Sequence, residues 1–226
     1  MEAIAGFDSV GAAAGEQAYR RIRSDIVFGK LAPGQRLTLD RLRAAYGVSI
    51  STLREILSRL LPEGLVTAEG ARGFQVAPCS EEGLREIAEL RLLVEKTALA
   101  QSFAAADMDW EGRVVAAHHK LARMETGLLQ GERADPQPWK RYDREFHQAL
   151  VSNCGSQALL DLHGGLYDRY LRYQMVFGIF RGRIAADEHE VLLACALKQD
   201  AATAQAVLTQ HIEGCVDFAI ENRLLA

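Results

Sequence analysis

Ser49-Ile50-Ser51-Thr52-Leu53-Arg54-Glu55-Ile56-Leu57-Ser58-Arg59-Leu60-Leu61-Pro62 carries two messages at once. Leu53, Ile56, Leu57 and Leu60 recur at helical spacing, so one face is made to be buried. Ser49 or Ser51 can cap the start, and Pro62 forbids continuation. On a helical wheel Ser51, Arg54, Glu55 and Ser58 point away from the apolar stripe, with Thr52 and Arg59 on its flanks. Short hydroxyls at a helix N-terminus suit phosphate, because backbone N–H groups converge there. An arginine one turn further along can fork onto a guanine edge or a phosphate. Ser49, Ser51, Thr52 and Arg54 therefore suit a DNA-reading helix. They equally suit a capped helix with a solvated polar face, and the helix alone leaves both readings open.

The flanking sequence narrows the choice. Ala18–Gly29 carries Ile22, Ile26 and Val27 at helical spacing and stops at glycine. Leu31-Ala32-Pro33-Gly34 makes a turn, and Thr38 can cap a second helix over Leu39–Tyr46, ended by Gly47. Beyond Pro62, Leu65–Ala68 and Phe74–Ala77 read as short strands joined by the glycine-rich, basic tip Glu69-Gly70-Ala71-Arg72-Gly73. Three helices and a two-stranded hairpin, in that order, predict a winged helix-turn-helix over residues 16–78. Residues 1–15, small and mostly uncharged, are expected to form a flexible leader.

Charge agrees with this division. The chain of 226 residues has a net charge of −4, but residues 16–78 hold 10 Lys and Arg against 6 Asp and Glu. Residues 79–226 hold 16 against 22. A basic front on an acidic body points to a polyanionic partner for the front only. No apolar run reaches the roughly 20 residues of a membrane span, and no basic signal sequence opens the chain, so a cytoplasmic protein is expected. Cys79, Cys154, Cys195 and Cys215 lie far apart without a CxxC pair, which predicts free thiols.

Five blocks carry a family resemblance. They are Leu31-Ala32-Pro33-Gly34-Gln35-Arg36-Leu37, Tyr46-Gly47-Val48-Ser49, Leu53-Arg54-Glu55-Ile56-Leu57-Ser58-Arg59-Leu60, Glu63-Gly64-Leu65-Val66 and Arg72-Gly73-Phe74-Gln75-Val76. In this order they resemble the GntR superfamily of bacterial repressors. The resemblance implies a homodimer on palindromic or pseudo-palindromic operator DNA, with the recognition helices in successive major grooves and Arg72 and Gly73 of the wing near the minor groove. One departure stands out. Where the family has an arginine after the first serine, this chain has Ile50, which cannot donate a hydrogen bond but can touch a thymine methyl. A different operator sequence is expected.

Residues 79–226 read as helix throughout, with breaks near 106–109, 131–138, 153–156, 181–183 and 198–200. About six helices result, so the fold class is mainly α: a winged helix-turn-helix followed by an all-α bundle. Asp143 and His147 stand one turn apart on one helix face. His189 and His211 flank the 198–200 break at similar distances, so an antiparallel helix pair would set them side by side. One carboxylate and three imidazoles suit zinc or another divalent transition metal, although spacing alone fits ordinary helical histidines as well.

Here too a resemblance is present. Ala88-Glu89-Leu90-Arg91-Leu92-Leu93-Val94-Glu95 with Ala98, Asp143-Arg144-Glu145-Phe146-His147, and Glu188-His189 with Asp200, Ala204 and His211 resemble the FCD domain of the FadR-type GntR subfamily. That resemblance implies a metal held by Asp143, His147, His189 and His211: zinc first, with nickel or manganese as alternatives. It also implies a small organic acid docked on the ion as effector. Arg91, Asn153, Arg169 and Arg172 are the sequence candidates for the effector pocket. Arg91 equally fits an ion pair with Glu95 one turn on, and Asn153 a helix C-cap. His118, His119 and His163 fall outside the matched blocks and are expected at surface or core positions. The expected function is a DNA-binding regulator, a repressor rather than an enzyme. A metal-dependent hydrolase or lyase with an accessory DNA-binding domain, and a regulator whose metal is purely structural, are the alternatives.

Overall fold

The computed structural model describes residues 5–70, 73–131 and 136–224. It divides into two compact units, Met1–Cys79 and Ser80–Ala226.

The first unit runs α1 (Ala5–Val27), β1 (Arg36–Leu37), α2 (Leu39–Tyr46), α3 (Ile50–Leu60), β2 (Val66–Ala68) and β3 (Phe74–Val76). Its core is the apolar stripe of α3, with Leu53, Ile56, Leu57 and Leu60 buried against Ile22, Ile26 and Val27 of α1 and Leu42 of α2. Each such side chain contributes about 1.5–3 kcal/mol of transfer free energy on burial. The turn into α3 is built by two local devices. Gly47 closes α2 with φ of 71°, a left-handed conformation that costs a side-chain-bearing residue about 1–2 kcal/mol. Ser49 then caps α3 by accepting from the Thr52 amide at 3.1 Å. Thr38 stands at the N-cap of α2 but makes no side-chain capping bond.

The wing pairs β2 and β3 antiparallel, Val66 opposite Val76 and Thr67 opposite Gln75. β1 adds a third strand, Arg36 opposite Gln75, giving the order β1-β3-β2. The two-residue β1 has no periodicity to betray it, and the sequence predicts only the hairpin. The sequence also predicts a first helix from Ala18 and a flexible leader over residues 1–15. Residues 1–4 lie outside the described residues, but the backbone is helical from Ala5. The alanine run from Ala12 to Ala14 favours helix more than the interspersed glycines oppose it.

The second unit is a bundle of six helices among the described residues: α4 (Glu81–Ala104), α5 (Met108–Leu129), α6 (Pro136–Val151), α7 (Gln157–Phe177), α8 (Arg183–Lys198) and α9 (Ala201–Glu221). Four starts are capped by a side chain accepting a backbone N–H: Ser80 for α4, Asp107 for α5, Ser156 for α7 and Asp200 for α9. α4 packs on α6, α7 and α9, α5 on α6 and α8, and α8 on α9. α7 ends at Phe177, earlier than the 181–183 break suggests, because Gly178 turns left-handed at φ of 63°. Residues 178–182 become a short connection between α7 and α8. No helix among the described residues is long and apolar enough to cross a membrane. All four cysteines are free.

Candidate functional site

In the first unit the polar face of α3 is displayed as the wheel implies. Ser49, Ser51, Arg54, Glu55, Ser58 and Arg59 are exposed and Thr52 is half-buried. The hydroxyls of Ser51 and Thr52 lie 2.7 and 2.9 Å from Ser49 Oγ, so three hydroxyls cluster at the helix start. The two arginines of α3 differ. Arg59 is held by Glu16 at 3.3 Å and stacks over the Tyr19 ring at 3.9 Å. Arg54 instead lines an open groove of about 540 Å³ between α3 and the wing, with Arg36, Gly70, Gly73 and Phe74. Gly73 has φ of 93°, a value that bars most side chains from that turn of the wing. Arg72 lies outside the described residues.

In the second unit Asp143, His147, His189 and His211 come together and are all buried, each offering a ligand atom within 4.8 Å of the others. α6 presents Asp143 and His147 from consecutive turns. Gln199, left-handed at φ of 55°, reverses the chain between α8 and α9 and brings the His189 and His211 rings to 4.7 Å between centroids. Donor atoms about 2.1 Å from one ion stand about 3–4 Å apart, so a small inward adjustment closes the set.

The three imidazoles share one design. His147 Nδ1 lies 2.6 Å from Glu95 Oε1, His189 Nδ1 2.8 Å from Glu125 Oε1, and His211 Nδ1 2.7 Å from Glu188 Oε2. An ionised carboxylate accepts only, so each Nδ1 carries the proton and each Nε2 keeps a bare lone pair. His147 Nε2 and His189 Nε2 are buried with no hydrogen-bond partner among the described residues. A buried polar atom without a partner costs about 1–3 kcal/mol, a cost a divalent cation bound there would relieve. Arg91 Nη2 is 3.1 Å from His147 Nδ1 as well, but the shorter contact to Glu95 decides the tautomer.

Asp143 completes the set. Its Oδ2 accepts from the Tyr167 hydroxyl at 2.6 Å and from Lys140 Nζ at 3.2 Å, leaving Oδ1 toward the histidines, 3.4 Å from His189 Nε2. Burial alone would raise its pKa, but the Lys140 ammonium beside it holds it well below the usual carboxylate range. Burial pushes His211 down to about 3, more than its bond to Glu188 lifts it. Glu188 falls to about 2, since hydrogen bonds from His211 and Arg181 outweigh burial. Burial likewise lowers His147. An anionic aspartate and neutral imidazoles are what metal ligation requires. These residues fit a divalent transition ion, which would act there as a Lewis acid with room for a further oxygen ligand.

A cavity of about 20 Å³ adjoins the cluster, room for about one water-sized group. It is lined by Asp143, His189 and His211 and, beside them, by Trp139, Lys140 and Arg181 among others. None of the four effector-pocket candidates from the sequence lines it. Arg91 is only 2% exposed, paired with Glu95 at 2.7 Å and enclosed by the Tyr167 and Tyr170 rings. It braces the Glu95–His147 pair. Asn153 ties helix ends together, accepting from Arg113 and donating to Ala105 and Ser102. Arg172 is buried and Arg169 half-buried on α7. Of the remaining histidines His119 is exposed, while His118 is buried edge-on to Phe146. His163 is buried 3.3 Å from Glu95 Oε2 but misaligned for a hydrogen bond.

Sequence reasoning missed Glu125 and Glu188 as carboxylate partners, and Trp139, Lys140 and Arg181 as cavity residues. A signal for the first exists: Glu125 extends the α5 stripe of Val114, Ala117, His118 and Leu121, where an apolar residue belongs.

Comparisons with known proteins agree with both halves. Residues 14–76 match the family of bacterial regulatory proteins, gntR family, and residues 86–214 match the FCD domain. BphR of Paraburkholderia xenovorans, described as an uncharacterized HTH-type transcriptional regulator, is 34% identical over 93% of this chain and 86% of its own. The HTH-type transcriptional repressor GlaR of Escherichia coli is 31% identical over 86% of this chain and 90% of its own. Among solved structures, E. coli McbR/YncC superposes with a TM-score of 0.78 at 20% identity, over 93% of this chain and 98% of its own, and so attests the fold. These relatives are transcriptional regulators, not enzymes. With a GntR reader over its first third and an FCD bundle over the remainder, the chain belongs to the GntR family of DNA-binding transcriptional regulators and has the FadR-type architecture.

Proposed function

We propose that this regulator is a cytoplasmic repressor acting as a homodimer on a palindromic operator, and that a small organic acid bound at a metal centre sets its operator affinity. Ser49, Ser51, Thr52 and Arg54 of α3, with Arg72 and Gly73 of the wing, are its DNA contacts. Asp143, His147, His189 and His211 hold the ion, zinc in the first instance and nickel or manganese as alternatives. One observation carries the metal assignment: each of three histidines has its Nδ1 on a carboxylate, and the buried Nε2 atoms of His147 and His189 have no hydrogen-bond partner among the described residues, beside Asp143. Carboxylate-backed histidines are a common device for orienting imidazole on metals. Two relatives from E. coli, GlaR and RspR, are described as HTH-type transcriptional repressors, which supports repression.

An acid can alter DNA affinity only by binding one arrangement of the protein better than another. The test is an operator titration of zinc-loaded and chelator-stripped protein with short mono- and dicarboxylates. A change of about 5- to 150-fold that requires the metal is expected, equivalent to a coupling of about 1–3 kcal/mol. Acids that stabilise zinc-loaded protein without altering DNA affinity would make the ion purely structural.

A further inference from the structure

Beside three of the four candidate ligands, the cavity is lined by the hydrogen-bond donors Trp139, Lys140 and Arg181. Lys140 is buried, 3.2 Å from Asp143 Oδ2 and 3.9 Å from the centre of the Trp139 ring. Trp139 is 6% exposed, and its indole N–H is buried with no acceptor among the described residues. Its ring is held edge-on by Phe180 at 5.0 Å, so it cannot readily swing out to find one. Arg181 binds Glu188 through both terminal nitrogens, one at 3.0 Å, and lies 3.3 Å from His211 Nδ1. An unsatisfied N–H and two cations beside a small cavity ask for an anion.

Charge leads the same way. Around the cluster Glu95, Glu125, Asp143 and Glu188 stand against Arg91, Lys140 and Arg181, one negative charge in excess. A divalent ion would turn that into one positive charge. The loaded site attracts an anion and the empty one repels it.

Arg181 also lines a second, open groove of about 520 Å³ with Phe180, Gly182, Ile184 and Phe218. It thus stands between the inner cavity and solvent, on the 178–182 connection. The inner cavity has no space for an acid of several carbons until something moves. The residue best placed to move is Arg181, a flexible side chain whose carboxylate partner, Glu188, a ligand carboxylate can replace.

We infer that Arg181, with Lys140 and the Trp139 N–H, reads the far end of the acid, and that Arg181 exchanges Glu188 for the ligand's second carboxylate as it binds. This rests on the reading that an acid docks on the metal, and adds the residues that select which acid. They distinguish a short dicarboxylate from the monocarboxylate that lacks its second carboxyl group. Because Glu188 also holds His211 Nδ1, the exchange reaches α9 through a single shared carboxylate.

The experiment is calorimetric titration of zinc-loaded, full-length protein with glutarate and with butyrate. Wild type is expected to favour glutarate at least about 10-fold. In Arg181→Gln and Trp139→Phe that ratio should fall toward one, through weaker glutarate binding. Gly214→Ala provides an arm that keeps the arginine. A Cβ there would stand 2.9 Å from Arg181 Nη1, so the guanidinium must shift, and the ratio should fall again. An unchanged ratio in Arg181→Gln and Gly214→Ala overturns the inference while leaving the metal-docked acid intact. If wild type binds neither acid, or binds both equally well without zinc, the metal-docked reading fails and this one with it.

Discussion

Replacing Glu125 by Gln tests the metal centre through a residue that would not touch the ion. The exchange keeps the size of the side chain and an oxygen to accept from His189 Nδ1, but removes the charge that fixes the tautomer at a buried 2.8 Å contact. Losing such a partner typically weakens metal binding about 10- to 100-fold. At a free zinc concentration 100 times the wild-type Kd, binding stabilises the folded protein by about 2.7 kcal/mol. In Glu125→Gln the same zinc would stand at only about 1–10 times Kd, leaving about 0.4–1.4 kcal/mol. The difference, about 1.3–2.3 kcal/mol, corresponds to a zinc-induced rise in Tm about 3–9 °C smaller than in wild type. Scanning calorimetry of stripped and loaded forms reads this directly, and any effect of the substitution on the stripped protein cancels. Competition with a chromophoric chelator gives the affinity independently. An equal zinc-induced rise in both proteins would refute the claim that Glu125 makes His189 Nε2 a metal donor.

Three further outcomes are expected. Arg54→Ala should cost about 1–3 kcal/mol of operator affinity, concentrated at one base pair if the contact is bidentate to guanine. Arg59→Ala, already tied to Glu16 and Tyr19, should cost much less, and gel-shift titrations at fixed salt separate the two. His211→Ala should retain operator binding and lose the response to acid, because the reader and the candidate ligand belong to different units; simultaneous loss of DNA binding would contradict this. Stripped protein should lose stability as pH falls. His211 titrates near 3 when folded and about 6.5 when unfolded, so below pH 6.5 the unfolded chain takes up a proton that the folded one refuses. Between pH 7 and 5 this residue should account for about 2 kcal/mol in urea unfolding, a loss absent from His211→Asn.

Much of this architecture was legible because it is local. The α3 stripe, Gly47, Ser49 and Pro62 each act within one or two turns of chain, and α2 and α3 lie where their caps and stops put them. β1 was not legible, being two residues whose only reason to be extended is β3, some 38 residues on. The candidate ligands were visible for two reasons: Asp143 and His147 share a helix face, and His189 and His211 flank a single turn. Their carboxylate partners were not, since Glu95 meets His147 across 52 residues of chain and Glu125 meets His189 across 64. What could have exposed them is misplacement. Arg91 and Glu95 sit on the α4 stripe between Ile87 and Ala98, at positions where an isolated charge would be costly. For Arg91 the sequence leaves an effector ligand and a partner of Glu95 equally open, because the one-turn spacing shows the possible pair but not that both residues are buried in it. Lys140 and Arg181 escaped notice because their cavity exists only once α6, the 178–182 connection and α9 are assembled.

Every helix of the bundle places a side chain in the candidate centre or directly against it: Glu95 from α4, Glu125 from α5, Asp143 and His147 from α6, Tyr167 from α7, His189 and Glu188 from α8 and His211 from α9. Subglobular opening usually begins with one element detaching while its neighbours stay folded. Here no helix could peel away from a loaded centre without stripping a ligand or a ligand's hydrogen-bond partner. With the ion bound, amide exchange in all six helices would converge on a single opening free energy. Without it, they would be free to open at separate ones.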